Sequence, residues 1–111
     1  MRKRHVFAVL AIALGPVSAV PASAADAEAG RGKAGACAAC HGRDGIAVAP
    51  DAPNLAGMSP IYTVAQLKAF KSGARQHEQM SIIAQSLSEE DMADLAAWYA
   101  AIEVTAKLPG S

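Results

Sequence analysis

The chain has 111 residues and balances ten Lys and Arg against ten Asp and Glu; nearly half of its 52% hydrophobic content is alanine, with only two Phe, two Tyr and one Trp. A nucleic-acid partner is excluded by the lack of any basic excess. So short a chain, with so few large apolar side chains, forms one domain that needs a staple or a cofactor to complete its core.

The first two dozen residues read as a secretory signal peptide. Arg2, Lys3 and Arg4 are basic, Val6 to Leu14 are apolar, and Ala22-Ser23-Ala24 is an A-x-A processing site. The rival reading is a retained membrane anchor, but the apolar run is too short to span a bilayer and is interrupted by Gly15-Pro16. Residues 1–24 are thus expected to be removed, leaving a domain at 25–111 with no stable membrane anchor. The leader carries three of the ten basic residues and no acidic one, so the remaining charge is 7 − 10 = −3.

Asp26 is placed to cap a first helix running towards Cys37, with Glu28 in the first turn where the helix dipole favours an anion. Gly30, Gly32 and Gly35 weaken that helix by about 1 kcal/mol each relative to alanine, so it needs a surface to pack on. Cys37-Ala38-Ala39-Cys40-His41 follows. Residues at i, i+3 and i+4 share one helical face, so both thiols and the imidazole can reach one flat ligand. C-x-x-C-H is the signature of c-type haem attachment: the thiols add to the two vinyl groups and the histidine becomes an axial ligand. Three other readings of the motif are weaker. A thioredoxin-like pair wants a βαβ setting, and no strand is visible. A structural zinc site wants four ligands, and only His41 and His77 remain to join two cysteines. A disulfide across three residues of a helix is strained and closes almost no loop.

A long loop rich in Gly, Pro, Asp and Asn spans Gly42 to Gly57, and a structureless loop of that length is expected to be functional. Ser59-Pro60 starts a second helix with Ser as N-cap and Pro at the first helical position; Ile61, Val64, Leu67 and Phe70 form its core-facing stripe and Gly73 ends it. A short third helix is expected over Ile82 to Leu87. Ser88 then opens the last helix with Asp91 in a near capping box, and Met92, Leu95, Trp98, Tyr99 and Ile102 form its buried face before Pro109.

Taken together, these residues resemble the class I cytochromes c, above all the small single-haem bacterial members and the repeat unit of their dihaem relatives. The resemblance rests on Cys-Ala-Ala-Cys-His-Gly at 37–42, Asp44-Gly45, Pro53-Asn54-Leu55-Ala56-Gly57, Gln66-Leu67 with Phe70, Gly73-Ala74-Arg75, Met80, and Leu87-Ser88. It implies an all-α fold of about four helices wrapped around one haem c held through Cys37 and Cys40. The sixth ligand is then a methionine, a soft neutral donor that raises the potential: Met80 stands where the family places it, and Met58 is its competitor. Pro53 matches the family proline whose carbonyl accepts the Nδ1 hydrogen of the proximal histidine, although a loop proline can also be simple punctuation. Leu55, Leu67 and Phe70 would line the haem. Arg75, and with equal weight against solvent Lys68 and Lys71, would reach a propionate. Gly30 and Ala34 correspond to the small surface where the first helix crosses the last; many members carry an aromatic there, and this chain does not. His77 is expected to be a surface residue.

The function implied is one-electron transfer in the periplasm, with redox proteins docking transiently at the haem edge beside Cys37 and Cys40. One alternative is the haem-bearing subunit of a larger flavoprotein or quinoprotein dehydrogenase; a peroxidase with a labile Met80 ranks lower. No catalytic constellation beyond the haem motif is visible.

Overall fold

The computed structural model describes Gly15 and residues 23–110; the leader reading falls almost entirely outside them. Among the described residues there are helices and turns and no strand, in line with the all-α expectation. Five α-helices appear: α1 Ala27–Lys33, α2 Ala38–His41, α3 Pro60–Ser72, α4 Met80–Ile83 and α5 Glu89–Ala100.

Asp26 caps α1 as expected, its carboxylate accepting from the Glu28 and Ala29 amides at 2.9 and 3.1 Å. The helix does not run unbroken to Cys37. It tightens into a 3₁₀ turn at Ala34–Ala36, in a stretch weakened by glycine, and Cys37 then serves as N-cap of α2. The His41 amide donates to the Cys37 carbonyl at 2.9 Å, so the one-face arrangement of the motif is formed by backbone hydrogen bonding.

The crossing of α1 on α5 organises the fold. A Cβ at Gly30 would lie 2.0 Å from the Asp94 carbonyl oxygen and 2.9 Å from Trp98 Cβ, a separation only glycine permits. The missing aromatic on α1 is therefore compensated by closer approach. The crossing is stapled at its edge: the Asp26 amide donates to Asp94 Oδ1 at 2.8 Å, and Lys33 Nζ lies 2.7 Å from Asp94 Oδ2 and 2.9 Å from Asp91 Oδ1. Lys33 holds the Asp94 carboxyl below its usual range, with the Asp26 amide assisting. Asp91 is lowered to about 2, first by the Ser88 amide and then by Lys33. Behind this polar edge Ala34, Leu95 and Tyr99 form the core, with Leu55, Leu87, Trp98 and Ile102 packed against it.

In α3 the expected stripe is corrected. Phe70 is buried and Leu67 half-buried, but Ile61 is 84% exposed. Steps of three residues turn 60° short of a full circle each time, so Ile61, nine positions before Phe70, faces the opposite side. Thr63, seven before Phe70, takes the inner face instead and is buried. Ser59 is the N-cap by position only; its side chain makes no capping bond, and its carbonyl accepts from the Thr63 hydroxyl at 3.1 Å. Gly73 ends the helix in the left-handed conformation.

The third helical segment begins two residues earlier than expected, at Met80, and after Ile83 continues as a 3₁₀ turn over Ala84–Ser86. Ser88 and Asp91 form the expected reciprocal cap, at 3.0 and 2.9 Å. Ile102 lies beyond α5 rather than on it. The Tyr99 carbonyl accepts from the Gly57 amide at 2.8 Å and from the Ile102 amide, an engagement that closes the helix and ties the loop to its end.

Candidate haem site

Between α2, the 42–59 loop, α3 and α4 lies one cleft, and Cys37, Cys40, His41, Pro53, Leu55, Leu67, Phe70, Arg75 and Met80 all line it. Residues spread over 44 positions of the chain thus face one space. His41 is buried, and its Nδ1 lies 2.8 Å from the Pro53 carbonyl oxygen. A carbonyl only accepts, so Nδ1 carries the proton and Nε2 is the basic nitrogen. The loop is ordered around this bond. The Val48 and Ala49 amides donate to the Cys40 carbonyl, the Leu55 and Ala56 amides to the Gly45 carbonyl, and the Ala47 amide to Asn54 Oδ1. Gly42 makes the turn after His41 possible: its φ is +76°, and a Cβ there would strike the Ile46 carbonyl.

Cys37 and Cys40 are free thiols, both half-buried. Burial pushes the Cys37 thiol up from its ordinary value, and the neighbouring Tyr99 hydroxyl partly offsets the rise. Burial likewise pushes the Tyr99 phenol up, with Cys37 adding to the effect. Among the described residues the buried Tyr99 hydroxyl meets no partner in hydrogen-bonding geometry, an orphaned polar atom on the cleft wall. The Arg75 guanidinium stacks 4.5 Å from the centre of the Phe70 ring and donates to Gln66 Oε1 at 2.8 Å. Lys68 instead pairs with Glu89 at 2.9 Å, and Lys71 donates to the Leu87 carbonyl; neither lines the cleft.

Met58 and Met80 both line the cleft, so the two methionines singled out in the sequence are both within it. Met92 is fully buried on α5 and belongs to the core. His77 is exposed, as expected, yet it also borders the cleft. Tyr62, Gln66, Ile83, Leu87 and Tyr99 also line it without having been assigned to it from the sequence. For Tyr99 the signal was present: it lies on the same α5 face as Leu95, which also borders the cleft.

The donor set fits a covalent haem. Two thiols and a histidine with its Nε2 basic stand on one wall, Leu55, Leu67, Phe70, Ile83 and Leu87 supply an apolar surround, and the orphaned Tyr99 hydroxyl marks an incomplete environment. Among the described residues no three His, Cys, Asp or Glu side chains converge as a metal-ion site. No helix among them is long and apolar enough to cross a membrane.

The Cytochrome c family profile matches residues 27–101. Cytochrome c-554(548) of Halomonas halodenitrificans is 47% identical over 83 residues, covering 72% of this chain and all of that protein. Cytochrome c4 of Pseudomonas aeruginosa is 44% identical over 70% of this chain and 39% of its own length. The crystal structure of reduced cytochrome c4 from Pseudomonas stutzeri superposes with a TM-score of 0.67 at 38% identity, covering 72% of this chain and 47% of that one. This chain thus spans less than half of the cytochrome c4 proteins it matches, but the whole of the c-554(548) protein. Thiosulfate dehydrogenase from Marichromatium purpuratum matches with a TM-score of 0.65 and 34% identity over 80% of this chain and 22% of that one. With the motif, the cleft and these matches in agreement, the chain belongs to the cytochrome c family, as an electron-transfer domain carrying one covalently attached c-type haem.

Proposed function

We propose that this chain is a periplasmic one-electron carrier in which Cys37 and Cys40 would hold the haem through thioethers and His41 and Met80 would be its iron ligands. The observation that carries the reading is the 2.8 Å bond from His41 Nδ1 to the Pro53 carbonyl, which leaves Nε2 basic in a cleft shared with both thiols and Met80. The haem supplies a one-electron couple when bound. His41 donates through Nε2 while the Pro53 carbonyl holds its other proton, fixing the ring and strengthening donation. Met80 is a neutral thioether, a ligand that favours the reduced state. With His41 and Met80 both bound to the iron, no coordination position would be left for a substrate. Leu55, Leu67 and Phe70 exclude water from the site, and Arg75 offers a guanidinium to a propionate carboxylate.

Partners would approach the edge next to the attachment cysteines, where Gly35, Ala36 and Ala39 are small and exposed. Such encounters are weak and use small interfaces. The leader at 1–24 would deliver the chain to the periplasm and be removed there. A second reading, a haem-bearing partner or subunit of a dehydrogenase, is favoured by two similar proteins named as thiosulfate dehydrogenase electron acceptors, 46% and 39% identical over 56% and 68% of this chain.

The test is a potentiometric titration of the exported protein, with intact-mass analysis of the same sample. A reversible one-electron couple, a mass lacking residues 1–24 and one bound haem are expected. High-spin iron without a reversible couple would contradict the carrier. A dehydrogenase subunit that copurifies in constant proportion would favour the second reading.

A further inference from the structure

We infer that His77 is a positioning residue for Met80: its ring nitrogen anchors the turn that carries the methionine, and the same anchoring withholds His77 itself from the iron. The inference rests on Met80 being the sixth ligand. His77 Nδ1 lies 3.3 Å from both the Gln79 and the Met80 backbone nitrogens, each in hydrogen-bonding geometry. Amides only donate, so Nδ1 accepts and the ring proton resides on Nε2. His41 has the opposite arrangement, with Nδ1 donating and Nε2 basic. Two histidines bordering one cleft are thus placed in opposite tautomers by the backbone groups they meet.

The local geometry is that of a helix cap built with an imidazole. The His77 amide donates to Ser81 Oγ at 3.0 Å, and the Ser81 amide returns a bond to the His77 carbonyl at 3.0 Å. The ring itself stands edge-on to Phe70, with centroids 6.5 Å apart, so the cap is braced against a buried side chain of α3. This explains why α4 begins at Met80 rather than at Ile82. Gln79, the residue just before α4, makes no side-chain cap bond, and His77 supplies the acceptor from two positions further back.

The test compares His77→Ala and His77→Asn in the haem-loaded ferric protein. The asparagine oxygen occupies the same branch position as Nδ1 and is a preferred cap acceptor, while both variants lose the ring contact with Phe70. The readout is the rate at which added cyanide displaces the thioether, followed by loss of the thioether-to-iron absorption band. Faster displacement in His77→Ala by roughly five- to tenfold, the factor one lost capping interaction corresponds to, with His77→Asn within about twofold of wild type, is the expected result. Equal acceleration in both variants would overturn the acceptor role and assign the effect to ring packing; no change in either would overturn it too. Amide exchange in the wild type gives a check without substitution. Slow exchange at Gln79 and Met80 supports the cap, and exchange as fast as at an unbonded exposed amide overturns it. A wild type that lacks the thioether band overturns the ligand assignment first, and that failure is read before any His77 variant is made.

Discussion

The environment of single atoms decides the chemistry of this site. The Pro53 carbonyl can only accept, which leaves His41 Nε2 basic and suited to the ligand role proposed for it, whereas the two amides facing His77 can only donate and set the opposite tautomer. Pro53 was readable in the sequence through its resemblance to a family position. The role of His77 was not, because an imidazole cap has no composition signal comparable to Ser or Asp before a helix. Gly30 gives the clearest test at this scale. Helix propensity alone predicts that Gly30→Ala stabilises by about 1 kcal/mol. The 2.0 Å approach of a Cβ to the Asp94 carbonyl predicts the reverse sign, a loss of about 1–3 kcal/mol of the kind overpacking causes. Chemical denaturation of the haem-loaded protein measures which term wins.

At the scale of elements, the α1–α5 crossing combines a close glycine contact with a charged staple. Asp91 has its carboxyl lowered from 3.8 to about 2, and Asp94 is also lowered. Carboxylates depressed in the folded state stabilise it above their unfolded pKa and lose that contribution as pH falls through the folded value. Stability is therefore expected to fall between about pH 4 and pH 2. Lys33→Met removes the principal partner of Asp94 and should lower stability at pH 7 while making the acid loss shallower. The loss should not vanish, since Asp91 keeps its Ser88 amide. Denaturation midpoints of both proteins at pH 7, 4 and 3 check this; parallel curves would show that the staple contributes nothing. The Asp26 and Ser88 caps were legible from residue type alone. The α3 stripe was misread because three-residue spacing drifts around a helix, whereas the four-and-three spacing of Thr63, Leu67 and Phe70 follows its inner face.

For the whole molecule, the haem is a structural as well as a redox element. The described core consists of a few residues around Leu95 and Tyr99, and the cleft wall is an apolar surface that needs a filling. Replacing both attachment residues, Cys37→Ser with Cys40→Ser, is expected to remove most of the helical circular dichroism, because a domain of this size cannot complete its core without the cofactor. Retention of the native helical signal would show that the polypeptide folds on its own. The motif and the order of helices were legible because each depends on local residue types. The loop's folding back onto Tyr99 and the membership of Tyr62, Gln66 and Tyr99 in the cleft were not, since they depend on contacts distant in sequence. The two cleft methionines leave one decisive measurement, the ferric absorption spectrum of the exported protein beside Met80→Ala and Met58→Ala. A low-spin wild type whose thioether-to-iron band persists in Met58→Ala and disappears in Met80→Ala is the predicted result; a band that survives Met80→Ala would contradict His41/Met80 ligation.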